Sequence, residues 1–211
     1  MARRLTGVAA YGLTLALLVL VAGCADASSE ENPRIGPRSD GWAGASVGDR
    51  HAEEPYSFFG AANLCIDRPG SVIVTEVTME HTEGGLTIDT FASRPIIPGM
   101  EFPQPETFTE TLWELGFQPG STRIETVCPQ DRGGPSDDEL ARLTTEPVFR
   151  GFTHLGIQFS KPTDETARGA IIRITYQSGD ATYVHRIGFE LVLCKGESDS
   201  AECDFHDYPW P

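Results

Sequence analysis

Apolar and polar residues alternate most clearly in the second half of the chain. Residues 170–177 put Ile172, Ile174 and Tyr176 on one face. A Ser178-Gly179-Asp180 turn leads to residues 182–194, where Ile187, Phe189, Leu191 and Leu193 share a face. A period of two is the strand period, because successive side chains of an extended chain point to opposite sides. Residues 154–160 repeat it with Leu155, Ile157 and Phe159, and residues 122–128 with Ile124, Thr126 and Cys128. Residues 71–79 are rich in β-branched side chains, which suit a pleated surface. A Glu83-Gly84-Gly85 turn follows, and residues 86–92 then place Leu86, Ile88, Thr90 and Ala92 on one face. These last two pieces predict a hairpin.

Two segments carry a weaker pattern. Residues 110–117 read as one or two helical turns closed by Gly116. Residues 136–145 open on Ser136-Asp-Asp-Glu139, which fits a helix capping box. Their continuation, Leu-Ala-Arg-Leu-Thr-Thr, suits a strand, and the strand is preferred. About six or seven short strands and at most two short helices predict an all-β fold: an antiparallel β-sandwich, broadly immunoglobulin-like, with a small closed barrel as its rival. The body starts at Tyr56 and runs to residue 211 with its C-terminal tail. Residues 25–55 are dominated by Ser, Gly, Pro and acids, show no period, and read as a disordered tether. About 30 such residues reach roughly 30 Å.

The start of the chain is different again. Arg3-Arg4 precede an uncharged run from Gly7 to Ala22, shorter than the 20 or so apolar residues a membrane span needs. A basic start, a short apolar stretch and small residues before a cut point describe a secretory signal peptide. The residues after Arg4 lack the apolar pair of a twin-arginine signal, so the general secretory route is expected. The cut point, Val21-Ala22-Gly23-Cys24, resembles the lipobox of bacterial lipoproteins: an aliphatic residue, a small residue, Gly or Ala, then Cys. That resemblance implies that residues 1–23 are removed. It implies that Cys24 carries a diacylglyceryl group through a thioether, and often a further acyl chain such as palmitate on the new amino terminus. Two or more acyl chains anchor a protein stably where one does so marginally. The expected location is therefore the cell membrane, lipid-anchored on its extracytoplasmic face. The excess of Arg over Lys, with abundant Ala, Gly, Pro and Asp, resembles the usage of high-GC bacteria such as actinobacteria.

Charge narrows the partners. The chain of 211 residues carries 16 basic and 31 acidic side chains, a net charge of −15, and losing Arg3 and Arg4 makes it two charges more negative. A phosphate backbone would be repelled, so nucleic acid is excluded as a partner. The membrane, through the lipid anchor, and an envelope protein or small ligand remain.

Beyond Cys24 the cysteines are Cys65, Cys128, Cys194 and Cys203. An even number in an oxidising compartment predicts two disulfides. Strand starts and ends allow either Cys65–Cys128 with Cys194–Cys203, the preferred pairing, or Cys65–Cys194 with Cys128–Cys203.

Candidate chemistry is sparse. Gly44-Ala45-Ser46-Val47-Gly48 matches Gly-x-Ser-x-Gly, but a serine hydrolase needs that motif on a strand-to-helix elbow and here it lies in the tether. His51, His81, His154, His185 and His206 show no paired spacing. Met79-Glu80-His81 offers ligands of the kind copper takes, and Cys203-Asp-Phe-His206 has a Cys and a His but no following Met. Asp137-Asp138-Glu139 and the acids between Glu197 and Asp207 lack the ordered spacing of a calcium loop. Glu76, Glu80 and Glu83 lack a groove that would make a pair of them hydrolytic. No catalytic residue, metal ligand or cofactor is assigned. The C-terminus concentrates Phe205, Tyr208 and Trp210, amphipathic anchors that either bind a partner or pack back onto the body. The expectation is a non-enzymatic, lipid-anchored interaction module. A copper- or zinc-handling protein using His81, Met79 and either His185 or His206 is the alternative, and an envelope hydrolase a second one.

Overall fold

A computed structural model describes residues 32–36, 43–58, 63–96, 110–128, 152–198, 200–206 and 208. The leader and Cys24, Trp42, the segment 136–145 with its acidic cluster, and Trp210 lie outside these residues.

The described chain is nearly all β and sandwich-like. Its strands are β1 (Ala43–Val47), β2 (Tyr56–Phe58), β3 (Asn63–Leu64), β4 (Val72–Glu83), β5 (Thr87–Pro95), β6 (Arg123–Ile124), β7 (Thr153–Ser160), β8 (Ala167–Ser178) and β9 (Ala181–Leu193). One sheet has the order β1-β9-β8-β4-β6. In the other, β7 is central. Phe159 pairs with Tyr56 on one side and Ile88 on the other, so β2 and β3 flank one edge of β7 and β5 the opposite edge. The inward faces of both sheets meet in one core that includes Val72, Val74, Ile172, Ile174, Phe189 and Leu191 from the first, with Tyr56, Leu155, Ile157 and Phe159 from the second. The Phe58 and Phe189 rings stack across the layers at 4.5 Å. A buried apolar face on each sheet supplies the driving force, and alternation supplies the face.

Bulges keep the apolar faces inward. In β4, Val72 and Val74 are buried; Thr75 is then an extra residue in the ladder to β8, and the buried position becomes Val77. In β8, Ala167 points inward before Ile171, and Ile172, Ile174 and Tyr176 do so after it. Ile171 itself has φ 62°, a left-handed conformation that a β-branched residue adopts only under constraint. One extra residue inverts the phase of a strand, so each bulge lets an out-of-phase sequence fill a single core.

Several expectations are corrected. The pieces 71–79 and 86–92 do not form a hairpin: β4 pairs with β8 and β6, whereas β5 crosses to the other sheet and pairs with β7. A bulge at Asp89 also breaks the expected face of 86–92, putting Phe91 against the core and Ala92 on the outer side. Residues 112–116 are turns rather than a helix, and the only helical piece among the described residues is a 3-10 turn at Ala201–Cys203. Finally, Ala43–Val47, expected to be tether, is a strand running parallel to β9 from Ala43↔Phe189 to Val47↔Leu193, which makes that sheet mixed rather than purely antiparallel. Glu53 and Arg50 also bond by their amides to Lys161 and Cys194 of the body. Small residues make this strand illegible alone; the open edge of β9 creates it.

Candidate functional site

The outward positions at the end of β9 are Glu190 and Val192, followed by Cys194. All three are buried, Glu190 fully at 0 % exposure. What covers them is the C-terminal segment of residues 200–206, which returns across the outer face of the first sheet as a strap, with Tyr208 beyond it. Four contacts fix it. The Cys194–Cys203 disulfide staples its base, and Val192, Cys194 and Cys203 form a small apolar cluster of their own. From β8, Arg168 donates through Nη2 to the Glu202 carbonyl at 2.9 Å and through Nη1 to the Asp204 carbonyl at 3.2 Å. The His206 amide donates to both carboxylate oxygens of Glu190 at 3.1 Å. The Phe205 ring lies over Gly44 of β1, where a Cβ would come within 2.8 Å of it.

Apart from the buried Cys203 sulfur and the Phe205 ring against Gly44, these contacts hold the main chain of the strap and leave its side chains largely exposed. Glu202, Asp204, Phe205 and His206 are exposed, Phe205 by 49 %. Tyr208 is half-buried, stacked on His81 of β4 at 5.4 Å and beside His206 at 5.8 Å. His81 sits at φ 51° where the β4–β8 register slips. Of the expected aromatic trio, then, Phe205 is displayed and Tyr208 packs back onto the sheet.

Electrostatics under the strap are uneven. Glu190 lies 3.9 Å from the Arg168 guanidinium, and Glu83 reaches the same guanidinium at 3.8 Å. Two carboxylates thus share one cation, Glu190 from a dehydrated position and Glu83 from an exposed one. Burial pushes the Glu190 carboxyl up, opposed by the His206 amide, by Arg168 and by charge on the His206 ring, and the Glu83 charge adds to the rise. Tyr208 is raised by burial and by the Glu83 and Glu190 charges.

The other candidates disperse. Glu76 pairs with Arg173, Glu80 with Arg186 and Glu83 with Arg168, so the three acids are parts of separate cross-strand ion pairs. Ser46 lies within β1, opposite Val192, with no elbow around it. Met79 packs against the core, and His185 occupies the β9 position opposite Ile174, away from His206. Among the described residues no three His, Cys, Asp or Glu side chains converge on a metal position. His51 is exposed, 3.8 Å from Asp164.

Sequence reasoning missed the buried polar groups. Lys161 is 1 % exposed and donates from Nζ to the carbonyls of Asp164 and Glu165 at 3.0 and 2.8 Å; burial lowers its pKa. His154 on the outer side of β7 is 2 % exposed, and burial, then the nearby Arg94 charge, lowers its pKa to about 4. Arg94 lies over the Phe117 ring at 4.3 Å and donates to the Leu115 carbonyl. One signal was available for Glu190. Its outward neighbour two residues on is Val192, and an apolar residue on a face expected to be wet announces a cover. The four later cysteines pair as Cys65–Cys128 and Cys194–Cys203, the preferred of the two arrangements the sequence left open. No protein-family model, curated protein or solved structure matches the chain.

Proposed function

We propose that this chain is an exported envelope lipoprotein, anchored through Cys24 on the extracytoplasmic face of the membrane, whose sandwich is a non-enzymatic interaction module. The observation that carries this reading is the strap. A buried Arg, a buried Glu and a disulfide hold its main chain in the docked state, and Phe205 is displayed there with its side chain half exposed. Preorganised aromatic side chains lose little conformational entropy on binding and make strong anchors. The closed disulfides support the oxidising compartment, because thiols of cytoplasmic proteins stay reduced.

The test is made in intact cells of the source bacterium. Fatty-acid label should enter the protein and be absent from Cys24→Ala. A photo-crosslinking residue replacing Phe205 should give a discrete adduct, and the same residue replacing Asp180, in an exposed turn on β8–β9, should give none. An unlabelled chain retaining residues 1–23 overturns the anchor. Identical adduct patterns from positions 205 and 180 overturn the module.

A further inference from the structure

The strap carries a second consequence, independent of any anchor or partner. Glu190 projects from the outer face of a sheet, where an acidic side chain is ordinarily hydrated. It is fully buried where the strap crosses it and the His206 amide meets its carboxylate. We infer that docking of the C-terminal strap is coupled to protonation of Glu190, so that the strap closes more tightly in mild acid and lifts more readily as the pH rises.

The geometry gives the direction. The charged groups facing Glu190 are Arg168 from β8 and Glu83 from β4. From the C-terminal segment come His206, the Tyr208 hydroxyl and, through their carbonyls on Arg168, Glu202 and Asp204. The neighbouring strand β1, Ala-Gly-Ala-Ser-Val, contributes no charge. Arg168 is the one cation of fixed charge in this set. It stands nearly 4 Å from the carboxylate, gives its hydrogen bonds to carbonyls, and is shared with Glu83. The His206 amide is divided between two oxygens. A carboxylate held this way is dehydrated without full compensation, and the neutral carboxylic acid has a much smaller desolvation cost in the same place. When the strap lifts, Glu190 regains water and titrates as an ordinary glutamate. The raised pKa agrees with this balance.

The sign follows from linkage. The docked state binds the proton more tightly than the open one. Docking is therefore strongest below the ordinary glutamate value of 4.5 and weakens as the pH rises toward the docked pKa, above which it is constant. The fall is at most about tenfold per pH unit within that window.

The experiment is amide hydrogen exchange on the oxidised protein from pH 4.5 to 8, with protection corrected for intrinsic exchange. The His206 amide should lose protection as the pH rises, while core amides of β8 such as Ile174 should not. In Glu190→Gln the His206 amide keeps an acceptor and its protection should become flat. Glu83→Gln, at an exposed side chain, should reduce the total fall. His206→Gln should retain it. Protection that is flat or rises in the wild type, a slope unchanged in both glutamate variants, or a slope abolished by His206→Gln overturns the inference. Should Glu190→Gln fail to fold, Glu83→Gln and His206→Gln still decide it.

Discussion

The two disulfides stabilise by different amounts, and loop length fixes the order. Cys65 and Cys128 are 63 residues apart, and Cys194 and Cys203 are 9 apart. Closing a loop of the longer span removes chain entropy worth about 4.3 kcal/mol at 25 °C, against about 2.6 kcal/mol for the shorter. The native state should not blur this difference. Around the first bridge, the Gly36 amide bonds the Cys65 carbonyl, Ile66 bonds Thr126, and Cys128 bonds Ile66, so main-chain hydrogen bonds keep both segments in place without the sulfurs. Around the second, the cluster with Val192 and the Arg168 contacts do the same. The perturbation is the double substitution Cys65→Ala/Cys128→Ala compared with Cys194→Ala/Cys203→Ala. Urea unfolding followed by far-ultraviolet circular dichroism gives each loss. The first pair should cost about 4 kcal/mol and the second roughly 1.7 kcal/mol less. If the short-loop pair costs as much as the long-loop pair, restriction of the unfolded chain is not what these bridges contribute.

Two further predictions follow from the outer side of the second sheet. His154 titrates near 4 when folded and near 6.5 when unfolded, so only the unfolded chain gains its proton as the pH falls through 6.5. Stability is complete above 6.5 and declines toward pH 4 by up to about 3 kcal/mol. Urea midpoints at pH 7 and 4.5 should therefore converge in His154→Gln relative to wild type; equal declines in both refute the assignment. Gly156→Ala places a Cβ 2.7 Å from Leu112 Cδ2 and from Phe117 Cε1 and Cζ. Overpacking of this kind costs about 1–3 kcal/mol. In thermal unfolding the double variant with Leu112→Ala should lose less than the sum of the two single losses, and strict additivity would show that the two residues do not meet.

The longest strands were legible because their alternation is uninterrupted where it matters. Ile172, Ile174 and Tyr176, and Ile187 through Leu193, lie buried on the faces their period assigns. What was not legible is non-local. Nothing near Val72 announces that β4 pairs with β8, about a hundred residues away, rather than with the strand that follows its own turn. The bulge at Asp89 is equally silent in sequence, yet it reassigns Ala92 from one face to the other. The strap site was half visible. Its aromatics stand out in the sequence, whereas Glu190 and Arg168 acquire meaning only once residue 206 lies over residue 190.

Both outer faces carry the same construction, and this explains the residues that broke the alternation. On the second sheet, Leu112, Leu115 and Phe117 close over Ala92 and Gly156, which are registered opposite each other. On the first, the strap crosses Gly44 and Glu190, the latter registered opposite Ala170. In each case small residues on the sheet admit the covering segment: a Cβ at Gly156 or at Gly44 would run into an aromatic ring of the cover. Each cover is also held by an arginine that donates to its carbonyls, Arg94 to Leu115 and Arg168 to Glu202 and Asp204. The two differ in what lies beneath. His154, on the same face as Arg94, is held neutral, whereas under the strap the buried Glu190 shares its guanidinium with the exposed Glu83. The first cover encloses a neutral imidazole beside its arginine at neutral pH, whereas the second encloses a carboxyl group. Structural cover and movable element are therefore distinguished by the charge they enclose rather than by how they are packed.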